Sequence, residues 1–231
     1  MHRALLAVVC LSLCALDAQA QFDEDELGAW YMFMWTKNPA PDSQWGLQGD
    51  VQHRNWDRGG DLEQLLVRGG LTWTPEGSRN KYTFGVAHVT SGAYGPSDAK
   101  TRERRLYQEA LIPQTWGERA QFTHRFRLEQ RDLDGQSARN RIRYFLGLNY
   151  PLNQATLSKG AVYVALYNEL FFNLEQDIGK GRQVDYFDRN RAYAALGYGV
   201  ADRSRVQFGY MHQRLDELGK GQLQLSWVQT F

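Results

Sequence analysis

The 231 residues carry 27 Lys and Arg against 26 Asp and Glu, a formal charge of +1, which excludes a nucleic-acid surface built on bulk positive charge. Hydrophobic residues make up 42% and aromatics 13%, yet beyond residue 20 no apolar run nears the ~20 residues of a spanning helix, so a helical membrane protein is excluded too. A membrane β-barrel is not, because strands that alternate lipid-facing apolar and lumen-facing polar residues average out as hydrophilic.

The chain begins with Arg3, a continuous apolar run from Ala4 to Leu16, and the small-x-small site Ala18-Gln19-Ala20. This pattern predicts a cleaved secretory signal over residues 1–20, the apolar run being too short to stay as a spanning helix. Leu13 stands before Cys14 where a lipidation site needs a small residue, and acidic Asp17 follows, so a lipoprotein is not expected. Cys10 and Cys14 both fall in the leader, leaving the mature chain without disulfide or thiolate metal site. Residues 21–231 read as a single domain.

Period-two segments then follow one another. Ala29 to Thr36 is the weakest, being apolar on both faces. Trp45, Leu47 and Val51 oppose Gln48, Asp50, Gln52 and Arg54; Leu65, Val67, Leu71 and Trp73 come after a loop with Gly59-Gly60; Tyr82 to Val89 and Leu106 to Ile112 follow. In Gln121 to Arg131, Phe122, Phe126 and Leu128 alternate with Thr123, Arg125, Arg127, Glu129 and Arg131. Ile142, Tyr144, Leu146, Leu148 and Tyr150 oppose Arg141, Arg143 and Asn149. Val162 to Phe172, Arg191 to Val200, Arg205 to Gln213 and Gln222 to Phe231 complete the series.

Short connections at Pro75 to Asn80, Pro113 to Glu118, Pro151 to Gly160 and Ala201 to Ser204 read as periplasmic turns, and the longer Ser91 to Arg104 and Glu175 to Asp185 as outer loops. Trp35, Trp45, Trp56, Trp73 and Trp116 sit near segment ends, where interfacial girdles belong. The expected fold is all-β, an antiparallel transmembrane β-barrel of bacterial outer-membrane type with about 10–12 strands. About eleven segments are visible, but barrels with both termini in the periplasm have even strand numbers, so twelve, with one hidden strand, is favoured. Leu223, Leu225, Trp227 and terminal Phe231 form a last strand like the signal read by the outer-membrane assembly machinery, from which Gln229 departs.

Several segments resemble a known family, the outer-membrane β-barrels catalogued as domain of unknown function 2490: His124-Arg125-Phe126-Arg127-Leu128-Glu129, Arg141-Ile142-Arg143-Tyr144, Tyr167-Asn168-Glu169-Leu170-Phe171-Phe172, and Asn190-Arg191-x-Tyr193 with Leu196-Gly197-Tyr198. The resemblance covers nearly the whole mature chain. It implies the fold and an outer-membrane location, and no established activity.

Strands paired in chain order would bring Arg125, Arg127, Glu129, Arg131, Arg141, Arg143, Glu169 and Arg191 onto one lumen patch. Carboxylates flanked by guanidiniums form charge-assisted, often bidentate bonds, so the patch reads first as a structural network filling a small barrel. Its excess of Arg over Glu reads second as a constriction favouring anions. A barrel of this size lies between side-chain-filled and open ones, so a wide pore is not expected. Gly85, Gly147, Gly197 and Gly209 interrupt inward faces and make room for bulky neighbours.

No catalytic residue, cofactor or metal is expected. The nearest nucleophile motif, His88-Val89-Thr90, has Thr where barrel lipases and deacylases use Ser, and His53, His88, His124 and His212 lack metal-ligand spacing. The expected partners are outer-membrane lipid, lipopolysaccharide and the assembly machinery, with no nucleic acid. The leading expectation is an outer-membrane barrel, porin-like with a narrow lumen or structural, in a Gram-negative envelope. Two alternatives remain: a barrel enzyme acting on outer-leaflet lipid or lipopolysaccharide, and a soluble periplasmic barrel binding a hydrophobic ligand.

Overall fold

A computed structural model of the chain describes residues 26–40, 42–215 and 218–231. The leader expected over 1–20 lies outside the described residues. Eleven strands run in chain order: β1 Gly28–Lys37, β2 Trp45–Asn55, β3 Leu62–Trp73, β4 Lys81–Gly92, β5 Lys100–Trp116, β6 Ala120–Leu133, β7 Arg139–Pro151, β8 Val162–Asn173, β9 Phe187–Ala201, β10 Ser204–Leu215 and β11 Leu218–Thr230. Each pairs with its chain neighbours, and β1 closes the sheet against β11 into a barrel.

The barrel departs from expectation in strand number and in strand direction. The described residues form eleven strands and not the favoured twelve, and the barrel is not wholly antiparallel. Every chain-sequential pair is an antiparallel hairpin, so an odd number leaves the first and last strands running the same way. The closing ladder, from Gly28↔Gln222 to Thr36↔Thr230, is accordingly parallel. The even-number rule assumed an antiparallel seam. The segment that read as weakest, Ala29 to Thr36, is β1 itself, with β2 and β11 as its neighbours.

An odd count also sends the two ends of the sheet apart. Connections 38–44, 74–80, 117–119, 152–161 and 202–203 share one rim with Phe231, while 56–61, 93–99, 134–138 and 174–186 share the opposite rim with the start of β1. Of the expected turns, 113–118 shrinks to 117–119 and 151–160 moves on by one residue to 152–161. Pro113 lies inside β5 and Pro151 ends β7. The β4 ladder stops at Leu111 and the β6 ladder at Asn149, so both prolines lie where only one neighbour is paired, and the missing N–H removes no bond on the open side. The expected outer loop Ser91 to Arg104 is likewise trimmed to 93–99, its flanks extending β4 and β5.

The pleat sends alternate side chains to opposite faces, and their sorting is the reverse of a water-soluble core. Charged and amide side chains such as Gln52, Arg54, Glu129 and Gln222 are buried inside, while Leu47, Phe84, Leu106, Leu196, Phe208 and Trp227 stand exposed outside. One aromatic cluster, Trp30, Tyr163 and Tyr193 with Met211, interrupts the polar interior. Tyrosines fit there because glycines face them. A Cβ at Gly85 or Gly70 would strike Tyr107, which is paired with Gly85, itself paired with Gly70; one at Gly197 would strike the ring of its partner Tyr163.

Candidate functional site

The interior patch is assembled from residues two apart on adjacent strands, which the pleat aims the same way. On β5, Glu103 accepts from Arg105 at 2.8 and 2.6 Å and from Arg131 of β6; Glu109 accepts from Arg127 and from Gln48 Nε2 at 3.1 Å. Glu129 of β6 is the hub. Its Oε2 accepts from Arg141 Nε at 3.0 Å and Nη2 at 2.6 Å, and its Oε1 from Arg143 Nη1 at 2.6 Å. Glu169 of β8 accepts through Oε1 from Arg143 at 2.9 and 2.6 Å and from Arg125 at 2.5 Å. Arg141 reaches on to Asp188 of β9 at 2.7 Å, and Arg68 of β3 holds Asp50 of β2 at 2.6 Å. Most of these carboxylates bridge more than one guanidinium, so the network crosses from strand to strand.

Aromatic faces carry part of the positive charge. The Phe171 ring has Arg143, Arg191 and Arg141 at 4.4, 4.8 and 5.2 Å from its centroid, and Tyr107 has Arg127 at 4.8 Å. Cation–π contact of this kind strengthens where water is excluded. Even so the charges do not balance. Among the described residues eight arginines and Lys220 are buried against six carboxylates.

The eight positions predicted for the lumen patch all turn inward, seven of them buried and Arg125 partly so. Six share one connected ion-pair network and Arg131 a separate cluster with Glu103 and Arg105; Arg191 joins neither, and donates through Nε to Gln213 at 2.8 Å while resting on Trp30 and Phe171. Glu103, Arg105, Glu109, Arg139, Asp188 and Arg68 lie outside the patch expected from sequence, as do Asp50 and Arg54, which were read only as the polar face of their segment. Reading Ser91 to Arg104 as loop hid Glu103, although Glu103, Arg105 and Glu109 keep the same parity that marks β6. A void of about 220 Å³ remains among these side chains.

The model of a family described as "Protein of unknown function (DUF2490)" matches residues 27–224. The chain belongs to that family. No curated protein and no solved structure matches it. The DUF2490 match runs from just before β1 to within β11, so the whole barrel but for the end of its last strand lies within it.

Elsewhere on this DUF2490 barrel, Leu225 and Trp227 of β11 and the terminal Phe231 are exposed on the outer face, with Leu223 partly covered, and the Phe231 amide donates to Thr36 at 2.9 Å. His88 and Thr90 also face outward. Their 3.5 Å contact is at the limit of a hydrogen bond, and among the described residues His88 forms no ion pair with a carboxylate that would orient it as a base. Among the described residues no three His, Cys, Asp or Glu side chains converge as a metal site requires.

Proposed function

We propose that this protein is an integral outer-membrane β-barrel whose interior is a rigid arginine–carboxylate network with at most a narrow, anion-favouring passage, serving small-solute passage or envelope structure. The observation that carries the reading is the outward apolar belt. From Leu65 to Trp73 on β3, at ~3.3 Å per residue and ~40° tilt, the belt rises roughly 20 Å, close to the apolar height of a barrel in a bilayer. Aromatic side chains gather at the rim near Phe231: Trp45 lies 6.4 Å from Trp73, Trp73 5.8 Å from Tyr82, and Trp116 6.4 Å from Phe122. Such rings suit the boundary between hydrocarbon and headgroups.

The polar exceptions on the outer face support the same reading. Gln108 and Gln130 exchange reciprocal amide bonds at 3.2 Å, Asn168 and Asn190 do so at 3.2 and 3.0 Å, and His124 Nδ1 meets Tyr144 Oη at 2.9 Å. Mutual pairing is what polar groups need where no water can serve them. A soluble barrel holding a hydrophobic ligand would need the opposite sorting, with apolar side chains within.

Ion conductance across planar bilayers tests the passage. The expected result is a small conductance that favours anions and loses that preference in Arg127→Ala and Arg143→Ala. Large, unselective conductance, or selectivity untouched by both changes, contradicts it.

A further inference from the structure

Three buried guanidiniums have no ion pair among the described residues: Arg139, which donates to Gln136 beside the 134–138 connection, and the two that share the interior void, Arg54 and Arg191. Arg54 and Arg191 are each 6% exposed, and among the described residues neither lies within ion-pair distance of a carboxylate. Arg54 is satisfied only by neutral amide oxygens, Gln52 Oε1 at 2.6 and 3.1 Å and Gln64 Oε1 at 2.6 Å; Arg191, which lines the void, donates to Gln213 through Nε, with no partner among the described residues for its two terminal nitrogens. Both lie over the same indole, at 3.9 and 4.8 Å from the Trp30 centroid, so they are no farther apart than those two distances together. Two negative charges lie near them: Glu63 accepts the Trp30 indole N–H at 2.8 Å, and Glu169 is the register partner of Arg191. Neither carboxylate makes a direct ion pair with Arg54 or Arg191, so two buried positive charges this close still repel, only partly offset.

The void of about 220 Å³ is bounded by both guanidiniums, Trp30 and Phe171. Tyr193 borders it as well, 6% exposed, and its buried hydroxyl has no hydrogen-bond partner. Two cationic forks and an unused hydroxyl donor around one cavity define an acceptor-rich, negatively charged guest, and the guanidinium plane matches a carboxylate or phosphate edge. We propose that this cavity is a binding seat for one small oxyanion, a carboxylate or a phosphate, held between Arg54 and Arg191 with Tyr193 Oη as a third donor. Arg54 lies near the end of β2 and Trp30 near the start of β1, so the seat is in the part of the lumen nearer the 174–186 loop, away from Phe231.

The seat deepens the anion-favouring reading of the lumen and rests on it, but not on the membrane: binding is measurable whether the chain is recovered in detergent or in buffer, and fractionation judges the membrane separately. Isothermal titration of the purified full chain at low ionic strength with inorganic phosphate and with benzoate reads it. The expected result is saturable binding of at least one probe, weakened tenfold or more in Arg54→Gln and in Arg191→Gln and unchanged in Arg104→Gln on the outer face. Should either interior variant fail to fold, wild-type tryptophan emission must still change with the bound probe, and Trp30→Phe must remove that change. No saturable binding of either probe, equal binding in Arg191→Gln, or emission indifferent to the probe overturns the seat.

Discussion

Removing the Glu129 carboxylate would leave Arg141 and Arg143 each short of a buried counter-charge, and Arg127, at 3.7 Å, short of a neighbour. Breaking a buried pair from one side destabilises by about 3–5 kcal/mol, whereas an exposed surface pair is worth about 1 kcal/mol or less. Glu129→Gln is therefore expected to lower the thermal midpoint of the purified barrel far more than Arg104→Gln, whose pair with Asp132 lies on the outside with side chains 80% and 55% exposed. Gly197→Ala forces a methyl into the ring of buried Tyr163 and is expected to destabilise by about 1–3 kcal/mol in the same melting measurement.

A pH effect belongs to the 56–61 connection. Asp57 Oδ1 accepts the N–H groups of Asp61 at 3.0 Å, Gly60 at 2.7 Å and Gly59 at 2.9 Å, and these bonds, Asp61 foremost, hold its carboxyl below the usual carboxylate range. A carboxyl whose folded value is depressed stabilises the folded loop fully above its unfolded value of ~3.9, and that contribution disappears as pH falls through the depressed one. NMR of the Gly59 and Gly60 amides in micelles should show a loop unchanged from neutral pH down to about 4 that titrates only below that; titration at the ordinary Asp value contradicts the three bonds.

Among the strands, β1 and β11 set the topology. Tyr31 and Leu225 are register partners in the parallel seam and both face outward, so a Tyr31→Cys, Leu225→Cys pair is within reach of a disulfide. Rapid cross-linking, seen as an oxidation-dependent mobility shift, is expected; its absence with a folded barrel contradicts parallel closure. Most strands were legible in the sequence because the period-two contrast between Arg125-Arg127-Glu129-Arg131 and Phe122-Phe126-Leu128 is itself the difference between inside and outside. What the pattern does not carry is strand direction at closure, since a run apolar on both faces, as Ala29 to Thr36 is, reads the same for a parallel or an antiparallel neighbour. Nor does it carry the free side of Pro113, which depends on where β4 stops. The lumen patch was legible for the same reason as the strands, whereas Arg54, Trp30 and Arg191 meet only through closure across β1 and could not be joined from sequence.

For the molecule as a whole, eleven strands place the start of β1 and Phe231 on opposite rims. With the terminal Phe read as an assembly signal on the periplasmic side, the 174–186 connection faces outward and 202–203 inward. An epitope inserted in 174–186 is expected to be labelled on intact cells and one at 202–203 only after permeabilisation; the reverse pattern inverts the orientation. The proposed membrane setting rests on one physical condition, that the apolar side chains exposed around the barrel meet hydrocarbon while the closed sheet leaves no unpaired edge in lipid. Membrane fractionation followed by extraction measures it directly: the full-length chain should sediment with outer membranes, need detergent for release, and migrate differently on gels before and after boiling. A chain that leaves the cells as a water-soluble monomer in detergent-free buffer contradicts it.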